Sequence, residues 1–97
     1  MKREEFVFTI GYQGNTAIVD GSAMKKFKNL STVELAEKGL LKAAFNSAVY
    51  SKNEEEIKEF LAIYNKKSGS NYSSIEALKR LFGGVDVQSK IERVKII

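Results

Sequence analysis

Residues 30–50 read LSTVELAEKGLLKAAFNSAVY, the most apolar long stretch of the chain. Ser31-Thr32-Val33-Glu34 has the form of a capping box: the serine hydroxyl accepts from the Glu34 amide, and the Glu34 carboxylate accepts from the Ser31 amide. Leu30 and Leu35 stand at the two positions of a hydrophobic staple. Beyond this start, Val33, Ala36, Leu40, Ala44 and Ala48 recur at helical spacing, and Leu41 and Phe45 widen the stripe. Two residues disturb the pattern. Glu37 falls inside the apolar stripe, and Gly39 costs about 1 kcal/mol relative to alanine inside a helix. One continuous helix makes Glu37 a buried-acid candidate, with the raised pKa and functional role such a group can have. Two helices, with Gly39 as the left-handed residue after Lys38, remove both faults. These alternatives lead to different functions.

Toward the N-terminus, Glu4 to Asp20 reads as a β-hairpin. Phe6, Phe8, Ile10 and Tyr12 alternate with Val7, Thr9, Gly11 and Gln13. Gly14-Asn15 has the chemistry of a two-residue type II′ turn. That turn pairs Gln13 with Thr16, Tyr12 with Ala17 and Ile10 with Val19. Phe6, Phe8, Ile10, Tyr12, Ala17 and Val19 then share one face, which helices must cover. Aromatics on a sheet beside Lys2 and Arg3 also suit single-stranded nucleic acid, but the ribonucleoprotein-type aromatic signature is absent and a core floor under the helices is the favoured reading. Asp20-Gly21-Ser22 leads into a short helix over 22–29, with Ser22 as its predicted cap.

Toward the C-terminus, Asn53 and Glu56 cap a helix whose apolar stripe is Ile57, Phe60, Leu61 and Tyr64. Gly69 closes it. Glu54, Glu55 and Glu56 suit the positive end of that helix; consecutive helical residues diverge too far to converge on a metal ion. Ser73 to Phe82 reads as a further helix with Ile75, Leu78, Leu81 and Phe82 inward. Gly83-Gly84 stops it. Residues 85–97 favour a strand because valine and isoleucine dominate the end, although Ile91, Val94 and Ile97 also fit helical spacing. The expected fold is therefore α+β, a single domain over 1–97. An N-terminal hairpin (4–20) and a C-terminal strand (85–97) form a small antiparallel-type sheet. Three to four helices, from the region 22–83, cover one face of it.

The totals narrow the chemistry. The 97 residues include no cysteine and no histidine, which removes disulfides, thiolate zinc sites, thiol catalysis and the usual general base. A chain of this size buries roughly 65% of the area its unfolded form exposes, enough for one core. Ser22 with Lys25 or Lys26 is the nearest local nucleophile–base pair, with no third group or oxyanion hole to complete it. No enzymatic activity, cofactor or metal is expected. MKREEF has charge but no apolar signal region behind it, and no apolar run reaches the length of a membrane span. The chain reads as a soluble cytoplasmic protein. Its net charge is +4, with an excess of +2 in residues 1–30 and +2 in residues 71–97, while the middle is neutral. If the ends meet, they form a weakly basic face.

Two binding roles are open to such a chain. The first is a non-enzymatic protein-interaction or scaffolding module, with a homodimer as the simplest form. Leu40 to Tyr50 is apolar on nearly all sides, and Phe45, Val49 and Tyr50 are its interface candidates. The second is nucleic-acid binding. Thr32 to Gly39 resembles the first helix and turn of a helix-turn-helix, with Ala36 at the close-packed position. Its glycine comes three residues after that alanine rather than four. The resemblance implies a recognition helix over 41–50, with Lys42, Asn46 and Ser47 as its polar readers. Lys25, Lys26 and Lys28 form the densest basic cluster and suit contacts to the phosphate backbone.

Overall fold

The stretch after Ser31 breaks at Gly39. In a computed structural model that describes residues 2–82 and 91–97, it forms two helices, α3 (Thr32–Glu37) and α4 (Leu41–Ser51). The capping box is present: the Glu34 amide donates to the Ser31 hydroxyl at 3.1 Å, and the Ser31 amide to the Glu34 carboxylate at 3.0 Å. The Leu40 amide reaches the Leu35 carbonyl and the Gly39 amide reaches the Ala36 carbonyl, both at 3.0 Å. These are the two bonds of a Schellman motif, and they require a left-handed residue, which Gly39 supplies at φ +83°.

Around this pair stand α1 (Arg3–Val7), β1 (Thr9–Gln13), β2 (Thr16–Val19), α2 (Gly21–Phe27), α5 (Glu54–Ser68), α6 (Ile75–Phe82) and β3 (Arg93–Ile96). The class is α+β, with six helices and a three-stranded sheet among the described residues. None of these helices is long and apolar enough to cross a membrane. The expected features at 83–90, including the Gly83-Gly84 stop and an extended Val85–Val87, lie outside the described residues.

The hairpin is shorter than its alternation suggests. Residues 4–7 belong to helix α1, where Glu4 and Glu5 occupy the first turn and the Lys2 amide donates to the Glu5 carboxylate at 2.8 Å. Phe6, Val7, Phe8 and Thr9 are all buried, a run that an alternating strand with one solvent face cannot produce. The turn pairs Gln13 with Thr16 and Tyr12 with Ala17 as expected, with Gly14 at φ +58°. The register then shifts between Thr9 and Gly11, so that Thr9 and not Ile10 stands opposite Val19. Ile10 is thrown outward and is 58% exposed. An extra residue on one strand has this effect, since it reverses which side chains face the core.

The C-terminal segment does join the sheet, but it lies parallel to β2 rather than antiparallel. The Glu92 and Arg93 amides both donate to the Asn15 carbonyl, so β3 begins where β2 begins. The intervening helices provide the long crossover that a parallel pair needs. At the far end, the Gly21 amide donates to the Ile97 carbonyl at 3.1 Å. A Cβ at position 21 would lie 2.7 Å from Ile96 Cγ2 and 2.8 Å from the Ile97 oxygen, so glycine is what lets β3 seat against the start of α2. That helix is capped by Asp20, whose carboxylate accepts from the Ala23 amide at 3.0 Å, and not by Ser22.

Helix α4 is the centre of the core. Ala44, Phe45, Asn46, Ser47 and Ala48 are all buried. Phe45 packs against Phe60 and Phe82, with centroids 6.3 and 4.8 Å apart, and Tyr50 against Phe6 at 5.8 Å.

Candidate functional site

The candidate residues separate sharply in the fold. Phe45 is fully buried and so is a core residue, not an interface residue. Val49 and Tyr50 are half-buried against the same core. The apolar surplus on α4 disappears because α1, whose alternation suggests a strand, packs on it and brings Phe6 onto Tyr50. Glu37 is exposed and not a buried acid: the Schellman turn ends α3 at that residue, before the stripe continues into α4.

The helix-turn-helix candidates on α4 are turned inward. The Asn46 amide nitrogen donates to the carbonyls of Phe6 at 3.3 Å and Val7 at 3.0 Å, and the residue is 3% exposed. The Lys42 ammonium donates to the Phe82 carbonyl at 2.8 Å and lies 5.9 and 5.7 Å from the Phe45 and Phe82 rings. Burial lowers its pKa from the usual lysine value. Lys25, Lys26 and Lys28 remain exposed on and just after α2.

A polar chain that no sequence motif announces ties four helices together. Arg3 Nη2 on α1 donates to the Leu30 carbonyl at 3.1 Å and to Ser47 Oγ on α4 at 2.8 Å. Ser47 Oγ lies 2.7 Å from Thr32 Oγ1 on α3, and Thr32 Oγ1 donates to Glu56 Oε1 on α5 at 2.7 Å. The direction of every bond is fixed. Arginine only donates and the carboxylate only accepts. Thr32 spends its one proton on Glu56, so Ser47 must donate to Thr32. The result is an Arg3–Glu56 charge pair relayed through two hydroxyls that are 1% and 0% exposed. Both hydroxyls are sealed from solvent, so the chain fixes helix positions and offers no accessible nucleophile.

The open features lie at the other end of the sheet. Thr9 faces Val19, and Val19 faces Ile96. This register gathers Ile10, Ile96 and Ile97 at one end, with exposures of 58%, 51% and 64%. They are three of the four large hydrophobics exposed among the described residues, Leu81 being the other; an inward role for Leu81, expected from its spacing, is not what α6 adopts. Beside Ile10 opens a cleft of about 370 Å³, lined by Val7, Phe8, Ala23, Leu40 and Leu41, with Asp20 and Lys42 as its charged residues. Ile10 reaches both features through the bulge that turns it outward, which the simple alternation of β1 hides. No family model, no curated protein and no solved structure matches this chain.

Proposed function

We propose that the chain is a non-enzymatic protein-interaction module that associates with a second copy of itself through the apolar end of its sheet. What supports this reading is the register that gathers Ile10, Ile96 and Ile97 at that end. Ile10 stands on β1 and Ile96 and Ile97 at the end of β3, the two outer strands, and large apolar side chains exposed at one end of a small sheet favour contact with another protein surface. The association is through side chains and not strand addition. Bulges and outward lysine and arginine residues blunt sheet edges; β1 carries the bulge, and β3 carries exposed Arg93 and Lys95. Sedimentation velocity over a range of protein concentrations tests the reading. The expected result is a reversible dimer that Ile10→Asp or Ile97→Asp converts to monomer with the fold unchanged by circular dichroism. A wild-type chain that stays monomeric throughout overturns it.

A second reading rests on the exposure of Lys25, Lys26 and Lys28. It is backbone contact with nucleic acid, without base readout, since Asn46 and Ser47 are internal. Fluorescence anisotropy with duplex and single-stranded DNA at low salt tests it; binding that falls steeply with added salt supports it, and no binding rules it out.

A further inference from the structure

The cleft beside Ile10 has a chemistry of its own, although it shares Ile10 with the self-association surface. It lies where four segments meet: the end of α1, the start of β1, the Asp20 corner before α2, and the Gly39–Ala43 turn into α4. Its volume falls in the range of small-molecule sites, and its walls are apolar with few polar groups, as such sites usually are.

The polar groups decide the class of ligand. The Thr9 hydroxyl donates to the Glu5 carbonyl at 2.7 Å. The Lys42 ammonium is drawn away onto the Phe82 carbonyl, and neither Phe82 nor Phe45 lines the cleft. Lys42 therefore contributes its hydrocarbon stem to the wall. Asp20 differs. Its Oδ1 takes the Ala23 amide, while its Oδ2 has no partner among the described residues and is not sealed from water. No lysine or arginine among the described residues forms an ion pair with it. The cleft thus combines an apolar body with one carboxylate that no cation among the described residues neutralises.

We propose that this cleft binds a small apolar primary amine. The hydrocarbon part packs on Phe8, Leu40 and Leu41, and the ammonium donates to Asp20 Oδ2. Hexylamine, hexanol and hexanoate, matched in chain length, separate the contributions when titrated into the ¹⁵N-labelled full chain and followed by amide chemical shifts. Hexylamine should give saturable shifts at Thr9, Ile10, Ala23 and Leu40–Ala43. It should bind up to about fivefold more tightly than hexanol, the ceiling expected for a solvent-reachable ion pair. Asp20→Asn keeps a good helix cap while removing the charge, so it should abolish the preference for the amine and leave the folded spectrum intact. Ala43→Leu, which fills the cleft from a partly exposed wall position, should abolish the shifts from all three probes. The proposal is overturned if hexylamine gives no saturable shifts, if its preference over hexanol is absent or survives Asp20→Asn, or if hexanoate binds most tightly, which would assign the cleft's charge to Lys42.

Discussion

Replacing Thr32 by valine tests the relayed charge pair directly, because the two side chains have nearly the same shape and differ by one hydroxyl. That hydroxyl donates to Glu56 at 2.7 Å and accepts from Ser47 at 2.7 Å. Losing a hydrogen bond to a charged group costs about 1.5–3 kcal/mol, and leaving a buried donor without an acceptor costs about 1–3 kcal/mol. Glu56 is only partly buried, so water restores some of its loss. The orphaned Ser47 proton is sealed in, at 1% exposure, and recovers little. Together these terms give about 2–4 kcal/mol, or a fall in Tm of roughly 10–25 °C for a domain of this size. Ser47→Ala alone should cost less, since Arg3 keeps the Leu30 carbonyl and Thr32 keeps Glu56. The double variant removes the donor that valine strands. Its loss should therefore fall short of the sum of the single losses by about 1–2 kcal/mol, a coupling typical of residues in one network. Equilibrium unfolding in urea of the four proteins closes the cycle. Additivity to within about 0.5 kcal/mol would refute the relay, because two independent hydroxyls add.

Local geometry sets three further outcomes. Gly21→Ala should loosen β3 at a cost of about 1–3 kcal/mol, because its Cβ meets Ile96 and Ile97 at under 3 Å; faster hydrogen exchange of the Ile97 amide, which donates to Val19, is the readout. Gly39→Ala and Lys52→Gly should have opposite signs. Both positions are left-handed, at φ +83° and +55°, so alanine should cost about 1–2 kcal/mol at 39 and glycine should gain a few tenths or more at 52 in urea unfolding. At alkaline pH two groups oppose each other. The folded pKa of Lys42 is lowered by burial, so the folded state releases its proton first and stability rises with pH up to 10.5. The folded pKa of Tyr12 is raised by burial, so the unfolded state ionises first and stability falls as pH passes 10.0. Lys42→Met should remove the rise and Tyr12→Phe the fall when unfolding is repeated across this range.

Much of the helical architecture is legible because capping chemistry is local. Ser31 with Glu34, Asn53 with the Glu56 amide, and Gly69 at φ +68° act within four residues of one another. The break at Gly39 is one of two options that the sequence itself presents. Long-range effects are not legible in this way. The local cap of α1, the Lys2 amide on Glu5, has no Ser, Thr, Asp or Asn at position 2 to announce it; the helix is favoured over a strand by burial of Phe6 and Val7 against α4, with Asn46 accounting for both of their carbonyls. The Glu56 side chain, which its spacing from Asn53 would make the second half of a capping box, goes instead to Thr32, 24 residues away. The bulge is a shift of one residue, and it reverses the environments of Thr9 and Ile10. Sequence periodicity therefore points to an interface on α4, where the apolar side chains are densest, and passes over the sheet end.

That displacement bears on function more than any single residue does. A helix as apolar as α4 can be an interface or a core, and which one it becomes depends on how many neighbours the rest of the chain supplies. Here α1 is the neighbour that sequence periodicity does not count. Once it docks, Asn46 and Ser47 bond to α1 and serve the interior, as Phe45 does against α5 and α6, and a base-reading helix is no longer available. The same docking leads straight into β1, whose bulge carries Ile10 outward beside the cleft. Burying Phe6 and Val7 against α4 and exposing Ile10 are thus two consequences of one local arrangement. Detaching α1 with Phe6→Ala should accordingly do two things at once. It should destabilise the fold by about 3–5 kcal/mol, as a large core truncation does, and expose the α4 surface that carries Val49 and Tyr50. A Phe6→Ala chain that keeps wild-type stability, measured by urea unfolding, would mean that α1 is not what closes the core.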